Sequence, residues 1–347
     1  MNKAFLGFIG AAIATTFANA QTSTAVTQAD VNRQSRETQS LLRDLKPGDS
    51  VPALSAEEEA DIGPQMILRQ RKHKWFRASV DEQIYYTDNM FFIRNSDIDA
   101  GVSVATVEAA VTSPNWITSL ASYRAEVGYR HQFFNYFGKD QQITLIPSLR
   151  RDDFDFQSST AFGDILAQTK HYQFRVGLDY TRLLGFEPLH EQDYDDFYRE
   201  FVPRWSVQRN FRVCDRSQFS VAYLGSYHFT DEDPMRVFVP GFGFGNGFDL
   251  DDRSERWEHA AIAAYSVALP CNIVVQPYYR FQYTDYTSDR VDLSEMLHTA
   301  GVGVGWYPCE NFSARVFANY NWNESDVRLR DYEQLNIGGG ANVTFRF

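Results

Sequence analysis

Cysteine is scarce in this sequence, three in 347 residues, and no long apolar run follows its first twenty. Three thiols are too few for a disulfide framework. The lack of about 18 consecutive apolar residues excludes a spanning helix in the body of the chain, in keeping with a mean hydropathy of −0.40. Basic residues are outnumbered, 33 Lys and Arg against 45 Asp and Glu, for a net charge of −12. That balance disfavours a general nucleic-acid binder, which needs a basic face. Aromatic residues are absent from one whole stretch: Gln21 to His73 has no Phe, Tyr or Trp and is rich in Gln, Ser, Thr and charge. Such a segment cannot bury enough apolar surface to fold alone.

What remains is dense in aromatics. The chain has 28 Phe, 19 Tyr and 6 Trp, 15% of its residues, and apart from Phe5, Phe8 and Phe17 all of them follow His73. A chain that is polar on average yet crowded with aromatic rings fits a membrane β-barrel, with alternating strands and aromatic girdles at the two interfaces. The first 20 residues read as a signal peptide. Lys3 opens it, an apolar run follows from Ala4 to Phe17, and Ala18-Asn19-Ala20 forms a small-x-small cleavage site. The domain organisation expected is therefore signal 1–20, a largely unstructured polar periplasmic extension 21–73, and a barrel 74–347.

Alternation with a period of two dominates that last region, as one apolar and one polar face per strand require. Tyr123, Ala125, Val127 and Tyr129 oppose Arg124, Glu126, Gly128 and Arg130. Phe174, Val176, Leu178 and Tyr180 oppose Arg175, Gly177, Asp179 and Thr181. The final strand is the cleanest, with Leu335, Ile337, Gly339, Ala341, Val343, Phe345 and Phe347 on one face. A soluble sandwich alternates too. Three features favour the bilayer: strands of 10 or more residues, aromatics crowded at strand ends as in Tyr85-Tyr86 and Tyr278-Tyr279, and short connections alternating with long acidic ones. The spacing predicts an all-β, antiparallel up-and-down transmembrane barrel of about twelve strands: 75–86, 102–112, 118–131, 142–150, 170–181, 201–211, 217–229, 257–268, 273–284, 296–306, 312–322 and 335–347. The stretch 151–169 fits poorly as a long periplasmic connection, and extra strands there would raise the count to 14.

Two short motifs carry a resemblance. The last strand, ending in Phe345-Arg346-Phe347, resembles the signal by which the bacterial barrel-assembly machinery recognises its clients. Tyr85-Tyr86-Thr87-Asp88-Asn89, leaving the first strand, resembles the opening motif of a β-barrel porin family of Gram-negative-type bacteria. The resemblance implies an outer-membrane location, outer-membrane lipids and the assembly machinery as partners, and channel activity toward small solutes or ions. It transfers no catalytic residue.

The residues themselves point to charge in the lumen. With the apolar faces outward, Arg77, Arg124, Arg130, Arg150, Arg175, Arg204, Arg280, Arg315 and Arg346 fall inward, against the acids Asp81, Glu126 and Asp179. A basic lining attracts anions into a confined pore, so Arg124, Arg175, Arg280, Arg315, Arg130 and Arg150 are the candidate lining residues of a narrow, weakly anion-selective channel. A narrow barrel whose side chains fill its interior is the competing outcome, a plugged structural or adhesive barrel. A lipid-active barrel enzyme is the third reading. There is no Gly-x-Ser-x-Gly, no His-Glu-x-x-His, and no Asp-rich loop with the glycine and glutamate spacing of a calcium site. No catalytic residue, metal or cofactor is therefore assigned. Cys214, Cys271 and Cys309 each fall in a predicted tight turn and are expected to stay unbridged, because neighbouring turns of this kind lie about 10 Å apart.

Overall fold

The computed structural model describes Val26 and residues 73–347, apart from the tips of several connections. The expected signal segment and nearly all of 21–73 lie outside the described residues. Twelve long strands make the wall: β1 Phe76–Thr87, β2 Ala100–Thr112, β3 Ser122–Phe137, β4 Phe156–Gln168, β5 Tyr172–Phe186, β6 Tyr194–Cys214, β7 Ser217–Glu232, β8 Arg256–Leu269, β9 Ile273–Tyr286, β10 Leu293–Trp306, β11 Phe312–Ser325 and β12 Tyr332–Arg346. Each pairs antiparallel with its neighbours in sequence, and β1 pairs with β12 from Arg77↔Arg346 to Thr87↔Asn336. The sheet therefore closes on itself and leaves no free edge. A two-residue strand, Trp116–Ile117, adds to β3 at one rim.

Eleven of the expected strands occur close to where the alternation placed them. The fourth does not. Gln142–Ile143 and Ile146–Arg150 form a separate two-stranded sheet outside the wall, and the wall strand is Phe156–Gln168, inside the stretch read as a connection. Its outward face is Gln157, Ser159, Ala161, Gly163 and Ala167 around a single large apolar residue, Ile165, while Phe156 and Phe162 point inward and are buried. Small residues outside and aromatics inside hide the apolar contrast that period-two reading depends on. With β4 in place each connection at one end of the barrel is longer than the connections on either side of it at the other end, since only 169–171 separates β4 from β5.

The wall inverts a soluble protein. Outward Val80, Val127, Val176 and Val316 are each more than half exposed, while inward Ser158, Gln276, Thr299, Asn321 and Asn336 are buried. In water such a surface would be unfavourable. In lipid it is the stable arrangement, because closure satisfies every strand's backbone within the sheet.

Two local features hold the closure. At the long-connection end, Asp88 Oδ1 accepts from the Leu335 amide at 2.7 Å, Asn89 Nδ2 donates to the Glu333 carbonyl at 3.1 Å, and Gln334 Nε2 donates to Thr87 Oγ1 and to the Asn89 carbonyl, each at 2.9 Å. The Tyr85–Asn89 motif thus fastens the first strand to the last. Next to it, Gly338 lets Tyr85 lie against the backbone: an added Cβ would stand 2.3 Å from Tyr85 Cβ and 2.4 Å from the Ile84 carbonyl oxygen. At the short-turn end the three cysteines are free and exposed, as expected. Cys271 and Asn272 turn the β8–β9 hairpin with φ of 65° and 60°, the left-handed pair that hairpin turns favour.

Candidate functional site

Period-two alternation turns one face of every strand into the barrel, so the lumen is built from the polar halves of twelve strands. It encloses a cavity of about 620 Å3. Nine cationic side chains line it (Lys74, Arg77, Arg124, Arg130, Arg175, Arg204, Arg256, Arg280 and Arg346) against four acidic ones, Glu126, Asp179, Glu200 and Glu258. This excess stands against a net charge of −12 for the whole chain, so the surplus acid lies elsewhere.

Much of this charge is paired across strands. Arg77 on β1 reaches Glu108 on β2 at 2.8 Å and Glu126 on β3. Arg204 on β6 bonds Asp164 on β4 and Asp179 on β5, both at 2.9 Å. Arg315 on β11 bonds Gln83 Oε1 at 2.6 Å and Asp81 Oδ2 at 3.3 Å on β1. Arg280 Nη2 donates to Gln282 Oε1 at 2.6 Å. Neutral amides complete the wall: Asn336 Nδ2 donates to Asn319 Oδ1 at 3.0 Å and Asn321 Nδ2 to Gln334 Oε1 at 2.9 Å. Pairing of this kind is what a partly desolvated lumen requires, because an isolated buried charge costs several kcal/mol.

Toward the long-connection end, β6, β7 and β8 bring together a cluster around His228. Glu200 Oε2 lies 2.9 Å from His228 Nδ1, Glu258 Oε1 3.6 Å from Nε2, and Arg256 Nε donates to the same Glu258 oxygen at 2.7 Å. Ser226 Oγ is 3.2 Å from Nε2. Serine, imidazole and carboxylate therefore stand in the order of a hydrolytic relay. However, Nε2 also faces a second carboxylate, so the ring bridges β6 and β8 across β7 rather than serving Ser226 alone.

The outer half of the lumen on the β1–β6 side is apolar. Tyr85, Val102, Val104, Phe134, Phe156, Leu183 and Tyr198 meet Met90 and Ile98 from the β1–β2 connection and Phe154 from the β3–β4 connection. Val26, in helical backbone conformation, packs against this cluster and also lines the cavity. At least this point of the extension stands inside the barrel.

Of the six arginines expected to line the lumen, Arg124, Arg130, Arg175 and Arg280 do so. Arg315 faces inward but is tied to β1 and does not reach the cavity. Arg150 is the correction: it ends a strand of the separate two-stranded sheet and holds no wall position, because the fourth wall strand lies after it. Phe345 and Phe347 face outward, 47% and 70% exposed. The inward acids were undercounted. Glu108 and Glu258 were legible from strand parity. Asp164 was lost with β4, and Glu200 with the early start of β6.

A closed barrel with an apolar outer wall and a charged lumen has one home. This is a membrane β-barrel of the outer-membrane kind. No family model matches the sequence and no curated protein is similar to it, so the porin-family resemblance stays one of short motifs. Among solved structures, the chain is similar to the β domain of the Bordetella autotransporter BrkA, at 12% identity and a TM-score of 0.41, covering 78% of this chain and 99% of that one. An outer membrane channel from Pseudomonas putida F1 is 8% identical with a TM-score of 0.46, covering 78% and 96%. An anion-selective porin from Comamonas acidovorans is 9% identical with a TM-score of 0.34, covering 78% and 98%. At such values nothing about cargo carries over.

Proposed function

We propose that this chain is an outer-membrane channel that passes small solutes through a narrow, charge-lined lumen with a weak preference for anions. The observation that carries the reading is the cavity lining, nine cations to four acids in an acidic chain. Rings of arginine and lysine favour anions by stabilising them where water is partly excluded. Pairing with Glu108 and Asp164 behind the lining tempers the excess, hence a weak preference. The freest contribution is at the mouth nearest the short turns, where Arg124 and Arg346 are exposed, line the cavity and make no ion pair among the described residues. The signal segment and the terminal Phe345 and Phe347 support export and delivery by the barrel-assembly machinery into outer-membrane lipid.

The plugged barrel is the second reading, favoured by the apolar cluster in the outer half and by Val26 against it. Planar-bilayer recording on the refolded full chain separates the two. Unitary conductance steps support the channel; insertion without conductance supports the plug. A hydrolytic reading needs Ser226 as nucleophile, and labelling of the refolded chain by a fluorophosphonate, lost in Ser226→Ala, would revive it.

A further inference from the structure

The outer wall carries a polar row that the lumen does not use. On β3 to β7, registers run Tyr129↔Ala161, Ala161↔Tyr180, Tyr180↔Phe201 and Phe201↔Phe229, giving one outward row of mostly aromatic rings. Two residues nearer the long connections, the next outward row reads His131↔Ser159, Ser159↔Arg182, Arg182↔Arg199 and Arg199↔Asp231. On β3 aromatic rings stand on both sides of this row, Tyr129 before it and Phe133 and Phe137 beyond, so the polar row lies within the aromatic girdle that marks the interface of hydrocarbon and headgroups. An arginine facing lipid costs about 2–4 kcal/mol at the midplane and little at that boundary.

Beside this row, opposite Leu184 and past a β-bulge, Asp196 gathers two arginines. Its Oδ2 accepts from Arg182 Nε at 3.0 Å, Arg182 Nη2 at 2.6 Å and Arg199 Nε at 2.6 Å. Asp196 is 6% exposed, while both arginines are 45% exposed. One buried carboxylate thus holds two guanidiniums side by side, with N–H donors left over. Asp231 meets Arg199 only loosely, at 3.7 Å, and is 69% exposed. His131 closes the row on the other side with both nitrogens engaged, Nδ1 by Ser159 Oγ at 2.8 Å and Nε2 by Gln157 Oε1 at 3.0 Å. Around the rim, on β9, β11 and β12, the outward positions near the long connections are instead acidic: Asp285, Glu324 and Glu333.

We propose that Arg182 and Arg199, clamped by Asp196, form a site on the outer wall for the phosphate of an anionic outer-leaflet lipid. Guanidinium pairs match phosphate oxygens in geometry as well as charge. The acidic remainder of the rim repels such headgroups, so the lipid is held at one sector, beside β5 and β6. This inference rests on the outer-membrane reading above.

The test is lipid retention by the refolded full chain in phosphatidylcholine nanodiscs doped with diphosphoryl lipid A, counted by native mass spectrometry. Wild type should retain the lipid at least fivefold better than Arg182→Gln/Arg199→Gln, and Arg182→Lys/Arg199→Lys should keep an intermediate share. Arg209→Gln, at the inner edge of β6 where it stacks on Tyr172 and Phe211, should match wild type. Dephosphorylated lipid A should bind wild type and variant alike. Equal retention of diphosphoryl lipid A by wild type and the glutamine variant overturns the site, as does displacement by millimolar inorganic phosphate, which would mean a free-ion site. If the glutamine variant fails to fold, wild type against Arg199→Gln alone decides on the same criterion. Failure of wild type to enter nanodiscs at all overturns the outer-membrane reading instead, and the site with it.

Discussion

At the scale of single residues the wall makes opposite demands on its two faces. Val302 and Val316 are exposed on the outer side, and replacing either by Arg should cost about 2–4 kcal/mol if it sits at mid-membrane. Gln208 lines the cavity, and Gln208→Arg should cost under about 1 kcal/mol, since a lumen position keeps its contact with water. Urea titration of the refolded barrels compares them, and equal costs would mean that the faces are reversed. Asp326 sets a pH dependence outside the membrane. Its Oδ2 accepts from the Ser294 amide at 2.9 Å and the Ser294 hydroxyl at 2.7 Å, which hold its carboxyl below the usual range. A depressed carboxylate contributes above its unfolded value and loses that contribution as pH falls through the folded one. Pinning of the β11–β12 connection to β10 should therefore persist at neutral pH and fail only in strong acid. Amide exchange at Ser294 should track that loss, and Asp326→Asn should abolish the pH response. An unchanged response in the variant would contradict the assignment. Residue type and parity were enough to read most of this scale: Arg124, Arg130, Arg175 and Arg280 take the face that parity assigns them, because a strand leaves each side chain only two directions. Partners were not legible, since Arg204 meets Asp164 forty positions away only once the strands lie in register.

At the scale of elements, closure depends on the pairing of β1 with β12. Gly338→Val places a side chain where Tyr85 and the Ile84 carbonyl already stand. It should weaken closure and lower the yield of the compact, heat-modifiable form on gels, whereas Gly163→Ala, whose nearest neighbour would be 3.9 Å away, should not. The strand end has a separate role. Deleting 346–347 should impair membrane insertion without affecting export across the inner membrane; normal heat-modifiable yield from that chain would contradict the assembly role given to Phe345 and Phe347. Strands with large apolar residues outside, such as β5 and β12, announced themselves. β4 did not, because Ala161, Gly163 and Ala167 contribute little hydrophobic area on the lipid side while Phe156 and Phe162 fill the lumen. The sequence pattern records apolarity, and β4 carries its apolarity on the face that the pattern assigns to water.

At the scale of the molecule, charge is sorted by compartment. Cations gather in the lumen and acids at the rim of the long connections, and the outward belt on β1 carries Glu82, capped by the Ser103 hydroxyl at 2.7 Å. Whole-chain charge, −12, conceals this, and the expectation of nine inward arginines against three acids overstated it, because Glu108, Asp164, Glu200 and Glu258 also face inward. What survives is a modest positive excess concentrated near Arg124 and Arg346. The reversal potential of the refolded wild-type barrel across a roughly tenfold KCl gradient tests this most directly. The account predicts a potential on the chloride side of zero that moves toward potassium in Arg124→Glu/Arg346→Glu. A wild-type potential on the potassium side, or no movement in a conducting double variant, would contradict it.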